Sequence, residues 1–359
     1  MKKGIISTMI ILVCITSCKP DSEYLDSGLV IHHFNKGDFE HKINLKGKKK
    51  TGNDLLVPRR IKILNEQTLL VVEKKADTLI HVLNRMDYSC VKHIGISGPG
   101  PNEIEYPYKF LSKGFDSNEF WYLGVGREKV LNKFDVSSST VYPGSQIQLR
   151  DSLFLMMDFD FSSDTSILGT YADGMTKYYE YSLNNRKLNV WGSWEGMVDF
   201  DWPPNVISSL FNGTFNSNRA KTKFVLASSK IDYLEIFDKT QGTSIGLRGP
   251  INEFPNVTVD HSMSYPMLME LGYDNKHGYS NAVVGNEYIY ALYSGYTRYE
   301  VDVIKKKAFD KLLIFTLSGD PIKYVHLDQQ LVDFDIDEEN DMVYGLTYDG
   351  NPNVIVYEL

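Results

Sequence analysis

Met342-Val343-Tyr344-Gly345-Leu346 is one apolar run, Val354-Ile355-Val356-Tyr357-Glu358-Leu359 is a second, and there the 359-residue chain ends. Working backwards, the same couplet recurs with a further strand attached. Phe315-Thr316-Leu317-Ser318-Gly319-Asp320 turns the chain, for example, and Ile322 to Leu327 returns it. One strand of each couplet is almost continuously apolar and expects cover on both faces: Leu69 to Val72, Phe120 to Leu123, Ile167 to Tyr171, Phe224 to Ala227, Tyr288 to Tyr293 and Met342 to Leu346. The other alternates apolar with polar residues and begins at Ile80, Val130, Tyr178, Tyr233, Leu312 and Val354, spacings of 50, 48, 55, 79 and 42 residues. Repeats of roughly 40–50 residues with several short strands each give the blades of a propeller. The long interval holds an insertion of about 30 residues on that repeat length, placed at Pro250 to Gly285. Helical periodicity is nearly absent. The reading is an all-β, six-bladed β-propeller over residues 29–359, with a β-sandwich as the alternative.

The missing return strand after Leu359 leaves an open sheet edge, which proteins rarely tolerate. Leu29 to Phe34 or Phe39 to Leu45 have no blade of their own and are expected to fill it, closing the ring with both ends of the chain in one blade. The first residues read differently. Met1-Lys2-Lys3 is positive, Gly4 to Val13 is largely apolar, and Ile15-Thr16-Ser17-Cys18 ends in small residues and a cysteine. The apolar run is too short for a stable membrane span. It resembles the signal and lipobox of bacterial lipoproteins, so residues 1–17 are expected to be removed, Cys18 acylated, and residues 18–28 left as the tether. Membrane contact would come from the acyl chains.

The net charge is −8, and −10 once Lys2 and Lys3 are lost. No basic block suits nucleic acid. The lysines at 46 and 48–50, flanked by Gly47 and Gly52, read as a solvated turn. After Cys14 and Cys18, Cys90 is the remaining cysteine; it has no disulfide partner in the mature chain and reads as a small apolar strand residue.

Two further stretches carry a family resemblance. Gly95-Ile96-Ser97-Gly98-Pro99-Gly100-Pro101-Asn102-Glu103 is similar to a Gly-x-Gly-Pro-x-Glu loop, departing from it by Pro101-Asn102 before Glu103. The run from Leu313 to Leu359, with Ser318-Gly319-Asp320-Pro321 and Phe334-Asp335-Ile336-Asp337, is the second. Both resemble the TolB-like six-bladed β-propeller lipoproteins of Bacteroides-type bacteria. The resemblance implies a fold and an envelope location, and no activity that transfers residue by residue.

No catalytic set, cofactor or metal ligand set is expected. The loop from Gly95 to Tyr106 lacks the register of a phosphate-binding motif. Asp333 to Asp341 lacks the glycine and distal glutamate of an EF-hand and reads as an inner strand and turn, with related pairs at Asp158/Asp160 and Asp199/Asp201. The scattered histidines have no zinc spacing, and Asp260-His261 is a weak acid–base pair in the insertion. The candidate ligand-binding residues are Trp202, Tyr296 and Arg298, with Glu103 and Arg59 as weaker members, because aromatic rings beside charge suit a carbohydrate or peptide. The functional expectation is a non-enzymatic binding or scaffold propeller on the outer membrane, on its periplasmic face or the cell surface, with a protein, peptide or carbohydrate partner. A metal-dependent propeller hydrolase or lyase at the channel mouth is the rival.

Overall fold

The computed structural model describes residues 22–24, 29–50 and 55–359, apart from 112–117, 127, 150–152, 154, 185, 263 and 348–351. The signal, Cys18 and most of the tether lie outside the described residues. Four N-terminal strands, β1 (Ser22–Tyr24), β2 (Val30–His33), β3 (His41–Leu45) and β4 (Lys48–Lys50), precede six four-stranded antiparallel blades. Blade 1 is β5 (Pro58–Ile63), β6 (Thr68–Glu73), β7 (Thr78–Asn84) and β8 (Cys90–Ile96). Blade 2 is β9 (Pro107–Leu111), β10 (Glu119–Val125), β11 (Lys129–Asp135) and β12 (Ser145–Leu149). Blade 3 is β13 (Met156–Ser163), β14 (Ser166–Tyr171), β15 (Tyr178–Ser182) and β16 (Lys187–Trp191). Helix α1 (Pro204–Phe211) leads into blade 4, β17 (Gly213–Ser217), β18 (Lys223–Ser228), β19 (Tyr233–Asp238) and β20 (Thr243–Arg248). A separate hairpin, β21 (Val257–Asp260) with β22 (Met267–Glu270), precedes blade 5. That blade is β23 (Tyr279–Val284), β24 (Tyr288–Tyr293), β25 (Lys311–Thr316) and β26 (Pro321–Leu327), with α2 (Arg298–Asp302) between its middle strands. Blade 6 is β27 (Leu331–Asp337), β28 (Met342–Thr347) and β29 (Asn353–Glu358), completed by β4. Among the described residues no helix is long and apolar enough to cross a membrane.

The second strand of every blade is the apolar one the sequence marks. Leu69 to Val72, Phe224 to Ala227 and Ile289 to Tyr293 are buried on both faces, because each blade packs on a neighbour at either side. Aromatic side chains fill the widening space between blades, as where Tyr178 stacks on Phe237 at 4.8 Å. The sandwich alternative is therefore excluded.

Ring closure differs from expectation in which segment provides it. Val354, Ile355 and Val356 pair with Lys50, Lys49 and Lys48, so the lysine run is a strand and not a turn. The two apolar segments expected there dock earlier on the rim, β2 parallel to β20 and β3 parallel to β26. Between them Phe34 and Phe39 are buried against Phe315 and Tyr324, with ring centroids 5.2–5.5 Å apart. Apolar side chains are drawn to the seam between blades 4 and 5, whereas the edge of β29 needs backbone partners, which lysine supplies. Lysines on that edge also discourage addition of another chain. Gly47 lets the backbone cross blade 6 closely, since a Cβ there would sit 2.4 Å from Ile355.

The six inner strands, β5, β9, β13, β17, β23 and β27, surround a central channel. Each pairs with its blade along one edge only, leaving buried amides on the other. Aspartates of the preceding blade accept several of these. Asp158 and Asp160 take the amides of Phe215 and Ser217 at 2.7 and 3.1 Å. Asp333 and Asp335 take those of Ile61 and Ile63 at 3.0 and 2.8 Å. The matched steps of two residues show that neighbouring inner strands run parallel. All inner strands thus begin at one end of the channel, called the entry end. Asp199 and Asp201 do not belong to this pattern; they lie in the loop before α1.

Removing an acceptor should be costly. Asp333→Ala strips the acceptor from the Ile61 amide and from Asn281 Nδ2, 2.8 Å away, and is expected to cost about 2–3 kcal/mol. Asp333→Asn, which keeps an oxygen, should cost less; urea midpoints compare the two.

Between blades 3 and 4 the buried Lys177 ammonium meets Glu235 at 2.7 Å, and the Tyr233 hydroxyl donates to the same carboxylate oxygen. Burial pushes the Glu235 carboxyl up, but Lys177 and the neighbouring hydroxyls outweigh it and hold it below its usual value. The ionised form is therefore favoured by folding. Its contribution is complete above about pH 4.3, the ordinary Glu value, and fades as pH falls through the depressed one. Lys177→Met should cost about 3–5 kcal/mol near neutrality. The stability gap between variant and parent should then narrow on acidification, which denaturation at pH 7, 5 and 3.5 measures.

Candidate functional site

The channel holds a cavity of about 160 Å³ lined by inner strands and by the turns after them, including Arg60, Lys62, Lys109, Lys221, Asp160 and Asp335. It runs toward the end opposite the entry end, since Ser217 to Arg219, Gly285 to Asn286 and Asp337 to Glu339 lie in the turns where inner strands finish. Several of its charges are paired. Lys109 Nζ lies 3.3 Å from both oxygens of Asp158 and donates to the carbonyls of Phe159 and Phe215. Lys62 meets Asp335 at 3.0 Å and Lys221 meets Asp160 at 3.6 Å. Arg60 Nε donates to the Tyr108 carbonyl at 3.1 Å. Burial raises the carboxyls of Asp158 and Asp333 against the opposing pull of Lys109 and Arg60 respectively, and burial lowers Lys221.

The acidic run at the far end is also engaged. Asp337 binds Arg85 and the Asn340 side chain. Glu338 accepts the amides of Asn286 and Tyr288, locking blade 6 to the turn of blade 5. Among the described residues the one group of three His, Cys, Asp or Glu side chains with converging ligand atoms is His81, Cys90 and His93, on the outer strands of blade 1 and away from the channel.

None of the five candidate binding residues lines the cavity. All five lie at the entry end, where the loops between blades and between second and third strands emerge. Arg59 is exposed at the start of β5, while its neighbour Arg60 is the one that reaches the channel. Glu103 accepts the amide of Gly100 at 2.8 Å and closes its own loop. A Cβ at Gly98, whose φ is +156°, would stand 2.1 Å from that carboxylate, so the loop needs glycine there. These two belong to blades 1 and 2, across the ring from the other three.

Trp202 stacks on Phe200 at 4.8 Å, and both rings approach Phe254 of the insertion at 6.2 and 5.6 Å. Arg298 opens α2, pairs with Asp302 at 3.4 Å and lies 5.3 Å over the Tyr273 ring. Tyr296 carries the Lys311 ammonium 3.5 Å above its face. The insertion thus gathers Trp202 at one side and Arg298 at the other. It is held to α1 by Asn205 Nδ2 to the Pro266 carbonyl (2.7 Å) and to blade 3 by the Tyr265 hydroxyl to the Ala172 carbonyl (3.2 Å). It joins blade 5 through the Tyr299 amide to the Tyr273 carbonyl. On β22 Leu268 packs inward, and Met267 and Met269 face solvent. Asp260 is half-buried and accepts the Ser262 amide, and His261 beside it is exposed. Phe200, Phe254, Met267, Met269 and Tyr273 are absent from the sequence-based set. The alternation of Met267, Leu268 and Met269 was the available signal.

A solved structure of a predicted exported protein from Bacteroides fragilis NCTC 9343 superposes with a TM-score of 0.53 at 11% identity, covering 91% of this chain and 98% of that one. The β-propeller domain of Cps50 (Swd1) from Myceliophteria thermophila gives 0.47 at 6% identity, covering 87% and 99%. At 11% identity the likeness to the Bacteroides protein is one of fold. A search among curated protein sequences finds no match. The sequence profile described as TolB-like 6-blade propeller-like matches residues 38–339. With that match, and six blades closed into a ring by its own N-terminal segment, the chain belongs to the TolB-like six-bladed propeller family.

Proposed function

We propose that this protein is a non-enzymatic binding propeller, tethered through an acylated Cys18 to the outer membrane of a Gram-negative cell, whose entry end over blades 3 to 5 docks a protein partner. The observation that carries the reading is the exposed apolar surface on the excursions there. Met267, Tyr273 and Ile304 are 56, 62 and 54% exposed, and the same excursions carry the ring cluster of Phe200, Trp202 and Phe254. Exposed apolar groups gathered in one region mark interaction sites, and aromatic residues, Met and Arg are the types enriched in protein interfaces. Sugars are gripped by ring faces flanked by hydrogen-bonding side chains, so the aliphatic Met267, Met269 and Ile304 favour a protein over a carbohydrate. The channel supports binding over metal-assisted hydrolysis because its acids already serve backbone amides and lysines. The lipobox-like Ile15 to Cys18, and the description of a similarly folded Bacteroides protein as exported, support the location.

Cys18→Ala should move the protein from the membrane fraction to the soluble fraction with an unchanged melting curve. Retention in the membrane pellet would refute the anchor. For the docking end, a photo-crosslinking residue at position 269 should trap an envelope protein in living cells. The same residue at position 320, in an exposed turn at the opposite end, should trap none. Equal trapping at both positions, or adducts with polysaccharide only, would overturn the reading.

A further inference from the structure

His81 on β7 and Cys90 and His93 on β8 come together on the face of blade 1 that meets blade 6. One ligand-type atom from each lies within 4.8 Å of the other two. Cys90 Sγ is 3.5 Å from His93 Nε2, and the two imidazole centroids are 4.5 Å apart. The sheet itself explains the convergence. His81 and His93 are directly opposed across the β7–β8 ladder. In a regular strand Cys90, three residues before His93, would point to the other face. The register shifts between Val82 and Leu83, so that Val91 is extra and Cys90 pairs with Leu83. This bulge turns Cys90 onto the face shared by Leu83 and His81. Bulges commonly re-aim a side chain in this way near functional sites.

We infer that His81, Cys90 and His93 form a binding site for a zinc-like divalent ion. One thiolate and two imidazoles suit zinc and its late first-row neighbours and not calcium or magnesium. With Zn–S near 2.3 Å and Zn–N near 2.0 Å, tetrahedral sulfur and nitrogen ligands stand about 3.5 Å apart. The Cys90–His93 separation already matches that spacing. Glu73 supplies the outer support. Its carboxylate is fixed by the amides of Leu56 and Val57, and one oxygen stands 3.6 Å from His81 Nε2. A carboxylate there favours the proton on Nε2 and leaves Nδ1 for the ion, the arrangement that commonly orients a ligating histidine. His93 is exposed and Cys90 half-buried, so the ion has an entry path and water can take its fourth position.

The test uses the mature protein stripped with a chelator and then dialysed. Titration with zinc chloride should give one tight site per chain by calorimetry and raise the melting temperature, because an ion that binds only the folded state stabilises it. Cobalt(II) should produce a thiolate-to-metal charge-transfer band with tetrahedral visible absorption. Cys90→Ser should abolish that band. Glu73→Gln should weaken zinc binding roughly 10- to 100-fold, and His93→Ala by at least as much. His93 is exposed, so the metal-free melting curve of its variant should match the parent and separate lost binding from lost folding. A cobalt spectrum without the thiolate band, or a zinc affinity unchanged in both Cys90→Ser and His93→Ala, would overturn the site.

Discussion

Everything in this ring rests on how the inner strands dispose of amides that no neighbouring strand accepts. A blade satisfies its own ladder, but its innermost edge faces the central channel, where no further strand pairs with it. A buried donor left there costs about 1–3 kcal/mol. The Asp-Phe-Asp sequences at 158–160 and 333–335 meet this constraint with one geometry. Each buries its phenylalanine toward the preceding blade and sends its two carboxylates to the amides of the next. The two sequences stand three blades apart and so act at opposite sides of the ring. Each carboxylate then needs a cation, which places Lys109, Arg60, Lys62 and Lys221 in the channel. The charged channel follows from the backbone's requirement and needs no substrate to account for it.

Closure obeys the same accounting at the rim. Outer strands expose their edges, and the N-terminal segment covers three of them in succession, on blades 4, 5 and 6. Side-chain chemistry sorts the three positions. Phe34 and Phe39 go where blades 4 and 5 leave an apolar cleft, and the lysines go where only hydrogen bonds are missing. A ring tied in this way makes its blades mutually dependent, and the loops at the entry end extend from it. They carry α1, the β21–β22 hairpin and α2, elements that could not persist alone.

Much of the fold was legible because a blade repeats a composition. The starts predicted at Ile80, Val130, Tyr178, Tyr233, Leu312 and Val354 fall within one or two residues of strands β7, β11, β15, β19, β25 and β29. The insertion was legible as an interruption of that period. What escaped depends on long-range geometry. Nothing local distinguishes Lys48–Lys50 as a strand, because its pairing partner is some 300 residues away. Asp199 and Asp201 share the spacing of Asp158 and Asp160 yet sit in a loop, since spacing alone does not say which segment faces a channel. The cluster of His81, Cys90 and His93 was hidden for a related reason. Regular strand periodicity places Cys90 and His93 on opposite faces, and only the bulge at Val91 unites them.

These constraints also decide where a ligand could act. A channel whose acids hold amides and whose lysines hold acids offers little unspent polarity, and drawing on it would loosen the contacts between blades. Regions outside that network carry no such penalty. The entry-end excursions over blades 3 to 5 present apolar surface that no neighbouring blade covers. The outer strands of blade 1 present a thiol and an imidazole beside a buried carboxylate. Both can change without disturbing the inner aspartates. A propeller stabilised from its centre therefore places its variable chemistry at its periphery, and the sequence of this chain follows that division.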